Sequence, residues 1–281
     1  MHAPLFTAQR EGDDRRHGVR ITIQRPGNQP DSLKAVVAGR ADVGVLDIHD
    51  LGLARERGKD IVAIGALVER PLAALIAQRA IRRPRDLGGR TVGVSGLPSD
   101  PAFLRAIVRH DGGDYPSIRQ VTIGFNAVSA LLTRKVDAVP AFWNAEGVVL
   151  RQRGVPVHEF RVEDYGAPPY PEVVLVTTRR VLERRGDELA RFLAAIGDGV
   201  RSVLRDPGPA VRQVAAEAGA EDVGLAAAQL RAVRPLLDPS LRLDRRVLER
   251  WATFDARVGI LARRPDVARA FAFDVRHARS G

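Results

Sequence analysis

The chain contains no cysteine. Disulfides, thiolate metal sites and a cysteine nucleophile are therefore excluded. Lysine is nearly absent: Lys34, Lys59 and Lys135 are the only three among 44 basic residues. Aromatic residues make up 5%, and none interleaves with a basic cluster as a single-strand nucleic-acid groove requires. The arginines are scattered, often beside acids, with no basic run of five or more. The net charge of +10 therefore reads as a solubility feature, with no nucleic-acid partner expected. No apolar run approaches the ~20 residues of a membrane span. Met1 to Phe6 offers neither a basic n-region nor an apolar h-region, so no signal peptide is expected there. A Ser-His-Asp arrangement, a phosphate loop and a dinucleotide fingerprint are also missing. Gly88-Gly89 and Gly112-Gly113 are turn signals instead.

What is present is a globular composition, 45% apolar and 28% charged over 281 residues. That suffices for one large domain or two ordinary ones. Its most informative feature occurs twice. Leu33–Val45 resembles Val128–Pro140, each reading as the end of an amphipathic helix, a basic turn, an Asp and a short apolar strand. Polar residues follow each strand: Asp47 to Asp50 in the first copy, Trp143 to Glu146 in the second. The carboxyl ends of strands are where open α/β sheets bind ligands. Two such units predict two lobes facing one another across a cleft.

The remaining patterns fit that plan. Val19–Ile23 alternates like a strand, and residues 26–30 form a turn cluster. Asp31 or Ser32 caps a helix to Ala38, which Gly39 ends. Buried strands are expected at Val43–Leu46 and Ile61–Leu67, with Leu72–Ala77 crossing between lobes. Thr91–Val94 opens the second lobe, and Pro101 starts a helix after a Ser or Asp cap. Val121–Phe125 and Val155–Val162 read as strands, Val173–Thr178 as the return crossing, and the chain from Asp187 onward as helical. Alternating strands and helices imply a mainly parallel sheet in each lobe. The predicted lobes are 1–84 with 179–281, and 85–178.

These segments resemble the type II periplasmic binding proteins of ABC importers, in the branch of thiamine-pyrimidine-precursor and sulfonate binders. The resemblance covers about Ala3 to Phe273. It is carried by Gly39–Val45, Ala66–Leu72, Leu87–Val94, Gly96–Asp100, Phe142–Gly147 and Tyr165–Pro171. Phe142–Gly147 points most specifically to the pyrimidine binders. The resemblance implies an α/β two-lobe fold, a small heteroaromatic ligand, an ABC permease as partner, a monomer without cofactor, and an extracytoplasmic location. It also implies a signal peptide and a first strand ahead of the segment that begins at Met1. The related fungal pyrimidine synthases consume one of their own histidines, and His49 falls about where that residue sits. Those enzymes carry a cysteine cluster that this chain lacks, so no enzymatic activity is expected.

Each candidate site residue has a functional and a bland reading. The Glu146 carboxylate can take two parallel hydrogen bonds from the N–C–N edge of an aminopyrimidine, or simply sit at a helix start. The resemblance places a glutamate there. Trp143 can stack on a flat ring or merely pack. Asn144 offers both a donor and an acceptor, or caps a helix. Ser99 and Asp100 lie at a helix start suited to polar groups or to capping. Asp100 would repel a phosphate or sulfonate. Asp47 and His49 occupy the matching strand end of the first lobe. His49 has no second histidine at metal-ligand spacing, so no metal site is expected. Tyr165 and Tyr170 flank a Gly/Pro-rich loop, where they cover the ligand or brace the loop. Asn126 is expected to cap its helix. An organic-anion binder and a His49-dependent synthase are the alternatives.

Overall fold

A computed structural model describes residues 1–24, 29–97, 99–217, 219 and 222–275, with backbone alone at 29–31. The expected turn at 26–28, the Asp31 cap and Pro98 of the Gly96–Asp100 segment lie outside what is described. The chain divides into two compact units. One holds Met1–Arg70, Tyr170–Ala252 and Pro265–Gly281; the other holds Pro71–Pro169 and Thr253–Arg264.

The first unit runs α1 (Ala3–Glu11), α2 (Asp13–Arg16), α3 (Gln29–Val37), β1 (Gly44–Asp47), α4 (Ile48–Glu56) and β2 (Ile61–Val68). The second contributes β3 (Ala73–Gln78), β4 (Thr91–Val94), α5 (Asp100–His110), β5 (Arg119–Thr122), α6 (Ala127–Leu132), β6 (Ala138–Phe142), α7 (Glu146–Gln152) and β7 (Val157–Arg161). The chain then returns through β8 (Val173–Thr178), α8 (Arg179–Arg205), α9 (Pro207–Glu217), α10 (Val223–Val233), α11 (Arg245–Val258) and α12 (Val267–Ala270). The last residues of α11 are grouped with the second unit, where the Val258 carbonyl accepts from Arg105 Nη2 of α5 at 2.8 Å.

The predicted α/β architecture, two sheets flanked by helices, is present. Strand direction differs from the expectation. In the three-stranded sheet, order β1-β8-β2, the central β8 is antiparallel to both neighbours. In the five-stranded sheet, order β5-β4-β6-β3-β7, the pairs β4–β5 and β4–β6 are parallel. Strand β3 is antiparallel to β6 and β7. The antiparallel pairs arise where the chain changes unit. Each strand that follows a change, β3 and then β8, pairs in the unit it enters. The boundaries therefore fall at 70/71 and 169/170, earlier than the predicted 84 and 178.

Both sheets owe their core to apolar runs within their strands. Every residue of β2 is buried, as continuous Val/Ile/Ala runs require when both sheet faces are covered. Val19–Ile23, predicted as a strand, is an irregular segment. Gln9 Nε2 donates to the Ile21 carbonyl at 2.9 Å, and the Ile21 N–H donates to Asp14 Oδ2 at 3.0 Å. Side chains of α1 and α2 thus take the bonds a ladder would have used.

The sequence repeat is a structural repeat. Gly39 has φ +68°, and the equivalent Arg134 has φ +53°. Both copies thus turn from helix to strand through one left-handed residue, a conformation that glycine adopts without strain.

α8 begins at Arg179, ahead of the predicted Asp187. The Thr178 hydroxyl caps it by accepting from the Val181 N–H at 3.2 Å.

Candidate functional site

The carboxyl ends of β4, β5 and β6 lie side by side in the second unit, because these strands are parallel neighbours. Three connections leave that edge: one beginning at residues 95–97 and leading to Ser99, one at 123–126 and one at 143–145. The first is closed by Asp100, whose Oδ2 accepts from Ser95 Oγ at 2.7 Å and from the Gly96 N–H at 3.0 Å. Asp100 is itself buried. Ser99 stands at the N-cap of α5 but its hydroxyl makes no capping bond, against the bland reading.

At the end of β6, Glu146 opens α7, and its Oε2 accepts from the Phe142 N–H at 3.0 Å. This bond fixes the carboxylate over the strand end. Asn144 is 2% exposed and does not cap α7, whose N-cap is Ala145. Its Oδ1 accepts a hydrogen bond from no described residue. A buried acceptor without a donor costs roughly 1–3 kcal/mol, so this oxygen is a strong candidate to receive a ligand's N–H. Trp143 is 7% exposed and donates Nε1–H to the Pro71 carbonyl at 3.2 Å. The Arg161 guanidinium lies 4.0 Å from its ring centroid, so one face of the indole is already covered. Sequence reasoning missed Arg161, whose signal is a basic residue ending the alternating strand β7.

Tyr165 is not brought to this edge. Its ring meets His110 at 6.0 Å and Phe160 at 6.0 Å, both edge-on. His110 ends α5, an 11-residue helix about 16 Å long, while Ser99 stands at its start. Tyr165 therefore braces its loop, and burial pushes its hydroxyl pKa upward. Asn126 likewise departs from expectation. Its Nδ2 donates back to the Ile123 carbonyl at 3.0 Å and its side chain makes no cap.

The equivalent strand end in the first unit has a different chemistry. Asp47 caps α4, its Oδ1 accepting from the His49 N–H at 2.7 Å. His49 is 6% exposed and Tyr170 is fully buried. Tyr170 is packed into the first unit and is not presented from its loop. Instead its hydroxyl lies 3.2 Å from His49 Nε2, and the Trp251 indole N–H donates to His49 Nδ1 at 3.4 Å. An indole N–H only donates, which makes Nδ1 the acceptor and puts the proton of the neutral ring on Nε2.

The fully buried Glu172 completes the cluster: one ligand atom each of Asp47, His49 and Glu172 lies within 4.8 Å of the others. Sequence spacing around His49 gave no sign of this, since Glu172 arrives from the far side of the second unit. A metal ion held there would compete with Trp251 or Tyr170 for the imidazole. Burial first, and then Asp47, pushes the neighbouring Asp50 carboxyl up to about 6.

Comparisons with known proteins agree with this architecture. A family profile described as NMT1/THI5 like matches residues 1–210. The formylaminopyrimidine-binding protein of Halalkalibacterium halodurans is 29% identical over 214 residues, 75% of this chain and 65% of that protein. The 4-amino-5-hydroxymethyl-2-methylpyrimidine phosphate synthase of Schizosaccharomyces pombe is 25% identical over 222 residues, 73% of this chain and 63% of the enzyme. The match thus spans just under two thirds of each relative's length. Among solved structures, the alkanesulfonate-binding protein SsuA of Xanthomonas axonopodis pv. citri superposes with a TM-score of 0.77 at 18% identity. That alignment covers 96% of this chain and 94% of the other. The likeness shows the fold, the type II periplasmic-binding-protein architecture.

The same comparisons overturn the expectation that catalysis is excluded. Relatives over the same segment include enzymes, and the Asp47–His49–Glu172 cluster gathers groups of the kind acid–base chemistry uses.

Proposed function

The chain belongs to the NMT1/THI5-like family, and from that membership we propose that it is the solute-binding component of an ABC importer. It acts outside the cytoplasm, hands its cargo to a membrane permease, and takes a small heteroaromatic ligand. A thiamine pyrimidine precursor, an aminopyrimidine, is the ligand that fits best. The reading rests above all on the buried Asn144 Oδ1, which lacks a donor, two residues from the tethered Glu146 carboxylate. Both groups are acceptors, so they select a ligand edge rich in N–H donors. The exocyclic amino group of an aminopyrimidine supplies two N–H donors, one for each acceptor. A sulfonate presents only acceptors and a negative charge, and would meet Glu146 and Asp100 with repulsion.

Isothermal titration with 4-amino-5-hydroxymethyl-2-methylpyrimidine, and an alkylsulfonate as control, tests this. Saturable binding of the pyrimidine alone is expected. Glu146→Ala should weaken it by about tenfold or more, the loss of a charge-assisted hydrogen bond. Binding of the sulfonate alone would sink the assignment.

A second reading, a synthase-type reaction that consumes His49, is favoured by the carboxylates gathered around that imidazole. Mass analysis of the His49 peptide after incubation with ligand separates the two. An unchanged mass supports reversible binding, and a ligand-dependent change supports the reaction.

A further inference from the structure

Phe125 is 69% exposed, the most exposed large apolar side chain among the described residues. A single exposed apolar side chain is ordinary on a protein surface; what marks this one is its position. It stands in the loop after β5, at the same strand-end edge as Ser99, Asn144 and Glu146. The loop is built to hold it there. The Ile123 N–H donates to the Val94 carbonyl at 2.9 Å, carrying the β4–β5 ladder one residue further. Gly124 then turns the chain with φ +59°. Asn126 Nδ2 fastens the far side to the Ile123 carbonyl at 3.0 Å, and the Asn126 carbonyl accepts the first helical bond, from the Ala130 N–H at 2.9 Å. The ring is thus presented from a pinned turn.

Strand order sets the distance. β5 and β6 are separated by β4 alone, so their ends lie about 10 Å apart. Two rings stacked at a centroid distance of about 4.5–7 Å match the scale of that separation. Between the β5 and β6 ends lies the β4 end, where Gly96 turns the chain with φ +93°. Trp143 is buried with one face taken by Arg161 and Phe142 at the end of β6 is partly buried, so among the described residues Phe125 is the most open aromatic surface at this edge.

We propose that Phe125 is a ligand-stacking, specificity-determining residue: it selects flat heteroaromatic ligands by covering one face of the ring while Asn144 and Glu146 read its N–H edge. This rests on the aminopyrimidine reading above.

The test is titration of 4-amino-5-hydroxymethyl-2-methylpyrimidine into the unaltered chain, Phe125→Ser, Phe125→Trp and Glu146→Ala. Phe125→Ser should bind about tenfold more weakly with an unchanged melting temperature, since its side chain is exposed. Phe125→Trp should retain affinity, and the fluorescence of the introduced indole should change on ligand addition. Full affinity in Phe125→Ser together with loss in Glu146→Ala overturns this proposal and leaves the aminopyrimidine reading standing. An introduced indole whose emission ignores a bound ligand overturns it as well. No pyrimidine binding by the unaltered chain removes both.

Discussion

At the scale of single residues, the structure separates side chains by what they still lack. Asn144 lacks a donor; His49 has its ring nitrogens engaged by Trp251 and Tyr170. Trp251→Phe removes a buried N–H donor and leaves Nδ1 facing an apolar ring. Urea denaturation should show a loss of about 1–3 kcal/mol. Arg134 gives a prediction of opposite sign, because a left-handed conformation is costly for any residue with a Cβ. Arg134→Gly should stabilise the chain by up to about 1 kcal/mol, strain relief exceeding the greater backbone freedom of glycine in the unfolded state. Gly39→Ala, at the matching position, should destabilise it by a similar amount. Glu146 and Asn144 were legible as candidates because a polar group after an apolar strand is a local signal. The orphaned oxygen of Asn144 was not, because hydrogen-bond satisfaction depends on what the folded chain brings near. Tyr165 and Tyr170 misled for the same reason: one Gly/Pro-rich loop sends its two tyrosines to different units.

At the scale of elements, most helices and strands were readable from apolar spacing and from glycine or proline stops. The failures have particular causes. Val19–Ile23 alternates as a strand does, yet Asp14 and Gln9 claim its backbone groups. The start of α8 is crowded with arginines and interrupted at Arg185, where φ is −133° and ψ 33°, so its amphipathic pattern becomes clear only beyond that point. Strand direction was legible only in part: strand–helix alternation gave the parallel β4–β5 and β4–β6 pairs, but carries no information on the strands that enter from the other unit, β3 and β8, which pair antiparallel. The packing of α1 on α8 turns on one glycine. A Cβ built on Gly199 falls against the Pro4 carbonyl oxygen and within 2.9 Å of Ala8 Cβ. Gly199→Ala should force the two helices apart and lower stability by about 1–3 kcal/mol, measurable as a lower melting temperature.

At the scale of the whole molecule, raised carboxyl groups couple the fold to pH, Glu69 further than Asp50. Burial first, and then the adjacent Asp238 carboxylate, pushes Glu69 up to about 7 from its ordinary 4.5. The folded chain therefore holds a proton that the unfolded chain has released between those values. Stability falls as pH rises through that window. Glu69→Gln should flatten this part of a plot of melting temperature against pH, and an unaltered slope would show that other groups dominate. The three-stranded order β1-β8-β2 reaches furthest. β1 and β2 have no common ladder until β8 arrives, more than a hundred residues later in the chain, at Val173–Thr178. Contacts between residues so distant in sequence form late, whereas the five-stranded sheet is drawn entirely from Ala73–Arg161. During refolding, backbone amides of β4 and β6 should gain protection from hydrogen exchange before those of β1 and β2. On the ribosome, β1 and β2 must wait for the chain to pass through its second unit and return before β8 joins them.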